Sequence, residues 1–268
     1  MKPISFEETK KIEFDILVGL TDFCDKHNLN YYLAYGSLIG AVRHNGFIPW
    51  DDDIDIIMPR PDYEKLIEIF NKENENSSYR LIAPTDKNSR HSIVKVIDTK
   101  TVKIEKGVNY KNGHLGIDVD VFPLDGAPEN EQEYNEWYDK LMLIYKKFVY
   151  GNLSFKSASF RTKLGIILRK IIWPSPKKCL KLAKKLHEQY PYDNSKFVAV
   201  VESAFNGRGN RVEKSCYDEF TLLNFEGKSF KAPKEYDKVL TNLYGDYMKL
   251  PPKEKQVTHH LNNTFYKD

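Results

Sequence analysis

Four aspartates occupy five positions of the stretch IPWDDDIDIIMPR, residues 48–60, at Asp51, Asp52, Asp53 and Asp55. Ile54, Ile56, Ile57 and Met58 interleave with and follow them. Carboxylates at this density repel one another, and a buried carboxylate needs a cationic partner or a metal. On a strand, Asp53 and Asp55 share one face with Cα atoms roughly 6.6 Å apart, while Ile54 and Ile56 point the other way into a core. A second interleaved pair, Asp118 and Asp120, stands in IDVDVFPLDG, residues 117–126. Three carboxylates from two such strands are able to hold one or two Mg²⁺ ions, about 3.5–4 Å apart when there are two. The spacing leaves open which of Asp118 and Asp120 is the third. Gly36-Ser37 adds a turn into a helix, where a glycine lets the backbone approach a ligand and N–H groups face an anion. An EF-hand reading of Asp51-x-Asp53-x-Asp55 fails, because Ile56 stands where glycine is required and Asp62 where the bidentate Glu belongs.

These residues need strands and helices to place them. Ser5 with Glu8 forms a capping box, and Ile12, Ile16, Leu17, Leu20 and Cys24 recur at helical spacing, so a helix is predicted over about 6–27. The aromatic run 30–37 reads as a strand, and 37–46 as a short helix capped by Ser37 and ended by Gly46. A strand over 53–59 leads into a helix from Pro61 to about residue 73. Strands follow near 79–83, 91–97 and 101–105, and an alternating one within 114–126 stopped by Pro123. Helices are expected over 129–149, 158–172 and 176–189, then a hairpin over 220–233 turning at Glu226-Gly227, and a helix over 235–245. The class is α+β: a mixed sheet with flanking helices and a helical insertion. Three parts are expected: a catalytic core over 1–128, a basic helical insertion over 129–190, and a hairpin, helix and tail over 191–268 that complete the core.

The 268 residues are 41% hydrophobic and 13% aromatic, enough for a core and against disorder. Three widely separated cysteines argue against a zinc site or a disulfide framework. The opening MKPISFEETKKIEF carries no signal-peptide apolar stretch and no run reaches membrane-span length, so a cytoplasmic soluble protein is expected. Charge is uneven. Residues 140–187 hold 13 of the 41 Lys/Arg and no acid, leaving 28 basic against 38 acidic side chains in the other 220 residues. Such a segment calls for an anionic partner or is a solvated face.

Taken in order, a glycine-serine turn, a strand with paired acids and a third acid fit the nucleotidyltransferase superfamily. The stretch YGSLIGAVRHNGFIPWDDDIDIIMPRPDYE (35–64) resembles the LicD family of phosphocholine transferases, whose distant relatives are fukutin and fukutin-related protein. KVIDT (95–99), IDVDVFPLDG (117–126), LYGDYMKLPPKEK (243–255) and THH (258–260) are similar to its later blocks. The resemblance implies Mg²⁺-dependent transfer, with Mn²⁺ as the alternative ion. Phosphocholine or a similar phosphoryl group would pass from CDP-choline or a related CDP donor to a hydroxyl of a glycan or glycolipid precursor, such as lipopolysaccharide or teichoic acid, releasing CMP. It also implies Asp53, Asp55 and Asp120 as metal ligands and catalytic acids, with Asp118 in reserve. Gly36 and Ser37 would hold donor phosphates. Arg43 would clamp a phosphate or pair with Asp51 or Asp52. Trp50 would meet cytosine or choline, or lie in the core. Lys95 would meet a phosphate or lie on the surface. His259 and His260 would contact donor or acceptor, or dock the tail. Helices within 160–187 pair apolar and Arg/Lys faces and are expected to touch an anionic membrane at its inner face, with no nucleic acid bound. The competing readings are a plain nucleotidyltransferase releasing pyrophosphate, a metal-dependent glycosyltransferase, and a non-enzymatic basic membrane- or RNA-binding module.

Overall fold

The computed structural model describes residues 1–87, 89–104, 115–152, 172–201, 208–258 and 263–268. The predicted helix over 158–172 lies almost wholly outside them. Helix α1 (Phe6–Lys26) is capped as expected, Ser5 Oγ accepting the Glu8 N–H at 3.2 Å, and it buries Ile16, Leu17, Leu20 and Cys24. Strand β1 is only Tyr32–Leu33, because helix α2 (Tyr35–His44) already starts at Tyr35. Gly36 therefore lies inside the first helical turn and not at a strand end, and Ser37 is not the cap. Asn45 ends α2 in the left-handed region at φ 56°, the role expected of Gly46 and one that Asn tolerates. The carbonyl of Gly46 instead folds back onto Gly40, whose missing Cβ would lie 2.3 Å from it.

Strand β2 (Asp55–Pro59) runs into α3 (Arg60–Glu73). Then come β3 (Tyr79–Ile82), β4 (Val94–Asp98), β5 (Thr101–Ile104) and β6 (Asp118–Ala127). Pro123 does not stop β6. The strand leaves β4 after Val121 and meets β7 (Phe197–Ala199) from Asp125, so on that side Pro123 falls in the gap between two ladders, where its lost N–H is not missed. The sheet order is β1-β2-β6-β4-β3; β7 adds to β6, and β8 (Val212–Glu213) to β7. Only β2 and β6 pair in parallel among these described strands; the other pairs are antiparallel. The α+β class and the mixed sheet agree with the sequence reading.

On one side α1, α3 and the hairpin β9 (Phe220–Phe225) and β10 (Lys228–Pro233) enclose Ile54, Ile56, Met58, Val119 and Val121. The hairpin turns at Glu226 (φ 49°) and Gly227 (φ 80°), the two positive values that a tight two-residue turn requires. On the other side Tyr32, Tyr35, Ile57, Phe122 and Leu124 pack with Val198, Tyr217 and Val239 of helix α6 (Tyr236–Tyr244). A third cluster joins α4 (Glu131–Asn152) and α5 (Pro176–His187) to Ala127 and Ala199 at the far end of β6 and β7. Strand β11 (Asn263–Tyr266), not expected from the sequence, pairs with β5. Gly40→Ala drives a methyl against backbone, which does not yield easily, so stability should fall by about 1–3 kcal/mol in urea unfolding. An unchanged midpoint would show that the 45–48 loop moves freely.

Candidate active site

The parallel pairing of β2 with β6 sets Asp55 directly beside Asp120. Both side chains stand on the face opposite the Ile56/Val121 core, as period-2 alternation requires. The backbone fixes them further. Ser37 Oγ accepts the Asp55 N–H at 2.9 Å, Asp55 O accepts the Ala34 N–H at 3.0 Å, and Ile54 O accepts the Asp120 N–H at 2.9 Å. Burial, then the charges of Asp53, Asp120 and Asp51, push the Asp55 carboxyl well above its ordinary pKa, against the pull of Lys95. Burial and the charge of Asp118 raise Asp120 too, opposed by Lys95 and Lys103.

Lys95, expected at a phosphate or on the surface, is buried against acids in this fold. It is 5% exposed on β4, across from Asp120. Its Nζ donates to Asp120 Oδ1 at 2.5 Å and to Asp118 Oδ2 at 2.6 Å. Lys103 Nζ donates to the other oxygen of Asp118 at 2.7 Å. Both oxygens of Asp118 are thus engaged. Burial opposes its ionisation, but the two lysines outweigh that and hold its carboxyl far below the usual range. Asp120 differs: Lys95 holds only Oδ1, and the side chain is 23% exposed. The geometry separates two acids that the sequence spacing left equivalent.

Gly36 is needed for a close approach, but its neighbour here is Asp51, whose Oδ2 would lie 2.5 Å from an added Cβ. A carboxylate at the amino end of α2 complements the helix dipole. Arg43 pairs with neither Asp51 nor Asp52: Nη1 donates to Tyr247 O at 2.6 Å and Nε to His44 Nε2 at 2.9 Å, tying α2 to the chain after α6. Trp50 is half-buried against the core, its ring edge-on to His44. His259 and His260 lie outside the described residues. A cavity of 490 Å³ opens at the other end of β6, beside Arg60, Asp125 and His187, and none of the three acids lines it.

Two residues escaped the sequence reading. Tyr244, on α6, is 48% exposed overall, yet burial and the charges of Asp55, Asp51 and Asp53 raise its phenol pKa. Tyr244 thus lies within reach of the charge of these acids. Glu13 is 1% exposed, and neither carboxyl oxygen has a hydrogen-bond partner. Burial holds its pKa well above the ordinary value; Asp118, Asp53 and Asp52 add to this and Lys103 opposes it. Its signal was present: position 13 continues the buried stripe of Ile16, Leu17, Leu20 and Cys24.

An all-oxygen donor set suits a hard cation such as Mg²⁺ or Mn²⁺. Asp55, pushed up by three neighbouring carboxylates, is a group that a divalent cation would relieve. Among the described residues no three His, Cys, Asp or Glu side chains already converge to enclose an ion. The residues fit such an ion by chemistry and charge, with closure of the shell left to the ion and its substrate.

Asp118→Asn leaves two buried ammonium groups short of a carboxylate and should destabilise the fold by about 3–5 kcal/mol in denaturant unfolding. Glu13 keeps its proton in the folded state after the unfolded chain has lost it. The Glu13 contribution to stability therefore declines as pH rises above the ordinary value of 4.5. Glu13→Gln should remove that contribution, so its gain over wild type should be larger at pH 7 than at pH 4 in thermal unfolding. Equal gains at both pH values would show that Glu13 is ionised in the fold.

Residues 28–156, which include Asp53, Asp55, Lys95 and Asp120, match the family described as LicD/FKTN/FKRP, nucleotidyltransferase domain. The lipopolysaccharide cholinephosphotransferase LicD of Haemophilus influenzae is 28% identical over 268 residues, covering 99% of each chain. The uncharacterized protein RP689 of Rickettsia prowazekii is 29% identical over 161 residues, 49% of this chain and 57% of its own. The uncharacterized protein RT0683 of Rickettsia typhi is 26% identical over 144 residues, 52% of this chain and 40% of its own. With its paired acids on adjacent strands, the chain is similar to LicD from end to end, and its residues 28–156 match the nucleotidyltransferase domain of the LicD family.

Proposed function

We propose that the protein transfers phosphocholine from CDP-choline to a hydroxyl of a cell-surface glycan precursor. The observation that carries this reading is the register of Asp55 beside Asp120, in a chain alike over its whole length to a relative named as a lipopolysaccharide cholinephosphotransferase. Asp53, Asp55 and Asp120 are the residues to hold Mg²⁺ or Mn²⁺. When bound, the ion offsets charge on the donor diphosphate as its bond breaks. Ser37 keeps Asp55 in place through the Asp55 N–H. Lys95 holds Asp120 through Oδ1, and the Asp120 side chain keeps 23% exposure. A carboxylate raised by burial is a better base, so Asp120 takes the proton of the attacking hydroxyl. The acceptor oxygen bonds to the phosphorus that bears choline, the bond to the bridging oxygen breaks, and CMP leaves with the electron pair. Tyr244, whose phenol feels the charges of Asp55, Asp51 and Asp53, is the aromatic candidate to meet the donor.

The test is CMP release from CDP-choline with lipopolysaccharide as acceptor. Release should require Mg²⁺ or Mn²⁺. It should fall by roughly 10²–10³-fold or more in Asp53→Ala and Asp55→Asn, the scale on which losing one electrostatic contact to a transition state acts. CMP released from CDP-ribitol or CDP-glycerol, and not from CDP-choline, would move the donor. Pyrophosphate released from a nucleoside triphosphate would replace the reading with plain nucleotidyl transfer.

A further inference from the structure

We propose that the outer face of the α4–α5 helix pair docks on an anionic lipid bilayer. The argument starts from how α5 divides its residues. Cys179, Ala183 and His187 are buried, while Lys177, Lys178, Lys181, Lys184 and Lys185 are all exposed. The apolar stripe is already used. Ala183 packs in a cluster with Trp137, Leu141 and Tyr145 of α4, Trp137 Nε1 donates to Leu186 O at 3.0 Å, and Tyr145 Oη stands 3.1 Å from His187 Nε2. For α5, the described part of the 160–187 segment, this corrects the picture of an amphipathic helix laying its own apolar side into lipid. What faces outward is a lysine stripe on a fixed platform.

The α4 helix, whose end meets the start of α5, adds exposed apolar side chains. Leu143, Lys146 and Tyr150 follow one another on α4 at helical spacing, all exposed, with Leu143 at 54% and Tyr150 at 40%. At the end of the pair, where Gly151 meets Pro176, Ile172 is 74% exposed and the Tyr150 ring lies edge-on to Trp173 at 5.6 Å. Lysines mixed with exposed aliphatic and aromatic side chains are the composition of a surface that settles at the water–lipid boundary. The charge distribution orients it. Residues 140–187 bring 13 basic side chains and no acid, while acids outnumber bases by 38 to 28 elsewhere. An anionic surface attracts this face and repels the rest. Nucleic acid fits less well: the described cations of the face are all lysines, without the arginine forks that read phosphate, and its exposed apolar groups gain nothing from a phosphate backbone.

The experiment is co-sedimentation of the full chain with vesicles of phosphatidylcholine alone and of phosphatidylcholine mixed with phosphatidylglycerol. Binding is expected only to the mixed vesicles, weakening as salt is raised. Reversing Lys177, Lys178, Lys181, Lys184 and Lys185 to Glu should lower affinity about tenfold or more, since each lysine near an anionic surface adds to binding. Replacing the same five by Gln tests the point where reversal disturbs folding, with thermal unfolding as the check. Asp53→Ala should bind as wild type, which separates this face from the proposed reaction. Binding that survives both sets of lysine changes, equal binding to neutral vesicles, or binding to duplex RNA without binding to vesicles would each overturn the proposal.

Discussion

Two carboxylates abreast on neighbouring strands repel, and everything around Asp55 and Asp120 answers that repulsion. The strands stay together because their opposite face is a core: Ile54, Ile56, Met58, Val119 and Val121 are fully buried. Burying a branched or long apolar side chain contributes about 1.5–3 kcal/mol, so this layer outweighs the electrostatic cost of a site held at its edge. The parallel pairing also has a geometric result. It brings both acids to the same end of the sheet, beside the first turn of α2, where Ser37 and Gly36 stand.

The counter-charge comes from a third strand. Lys95 on β4 reaches both Asp118 and Asp120, and Lys103 on β5 reaches Asp118 from the other side. Two ammonium groups are thus shared by two carboxylates in an alternating chain, Lys103–Asp118–Lys95–Asp120. The inner acid is satisfied and the outer one half satisfied. Glu13 presses on the same network from α1 without a hydrogen-bond partner, a buried polar group retained at a cost to stability. Such costs gather at sites that work.

Local features were legible in the sequence. The Ser5 cap and the Glu226-Gly227 turn each depend on residues within a few positions of one another, whereas β2 starts only at Asp55, so Asp53 precedes the strand that was expected to carry both acids. What escaped depends on distant partners. Tyr35 takes a left-handed φ of 47° that nothing in its neighbours announces; its ring packs edge-on to Phe122, 5.2 Å away, and the helix starts there in consequence. The burial of Lys95 needs the register of β4 against β6, and so does the difference between Asp118 and Asp120. Pro123 looked like a terminator because the ladder gap that accommodates it is made by β4 and β7, from opposite directions in the chain. Glu13 is legible from the sequence as a charge on the apolar stripe of α1.

The pairing of Asp55 with Asp120 spans 65 positions of chain, with α3, β3, β4 and β5 between them. Contacts this distant form late, after the intervening chain has been made and folded. Until β6 arrives, β2 with the preceding Ile54 is a run of Ile54, Ile56, Ile57 and Met58 with an open edge, the kind of segment that seeds aggregation. The aspartates crowded beside it act in that interval as gatekeepers, because strands that stack edge to edge must bring their charges together. The residues that make the finished site electrostatically expensive thereby keep its unfinished half soluble, and a variant that trades them for neutral side chains relieves the first effect while it gives up the second.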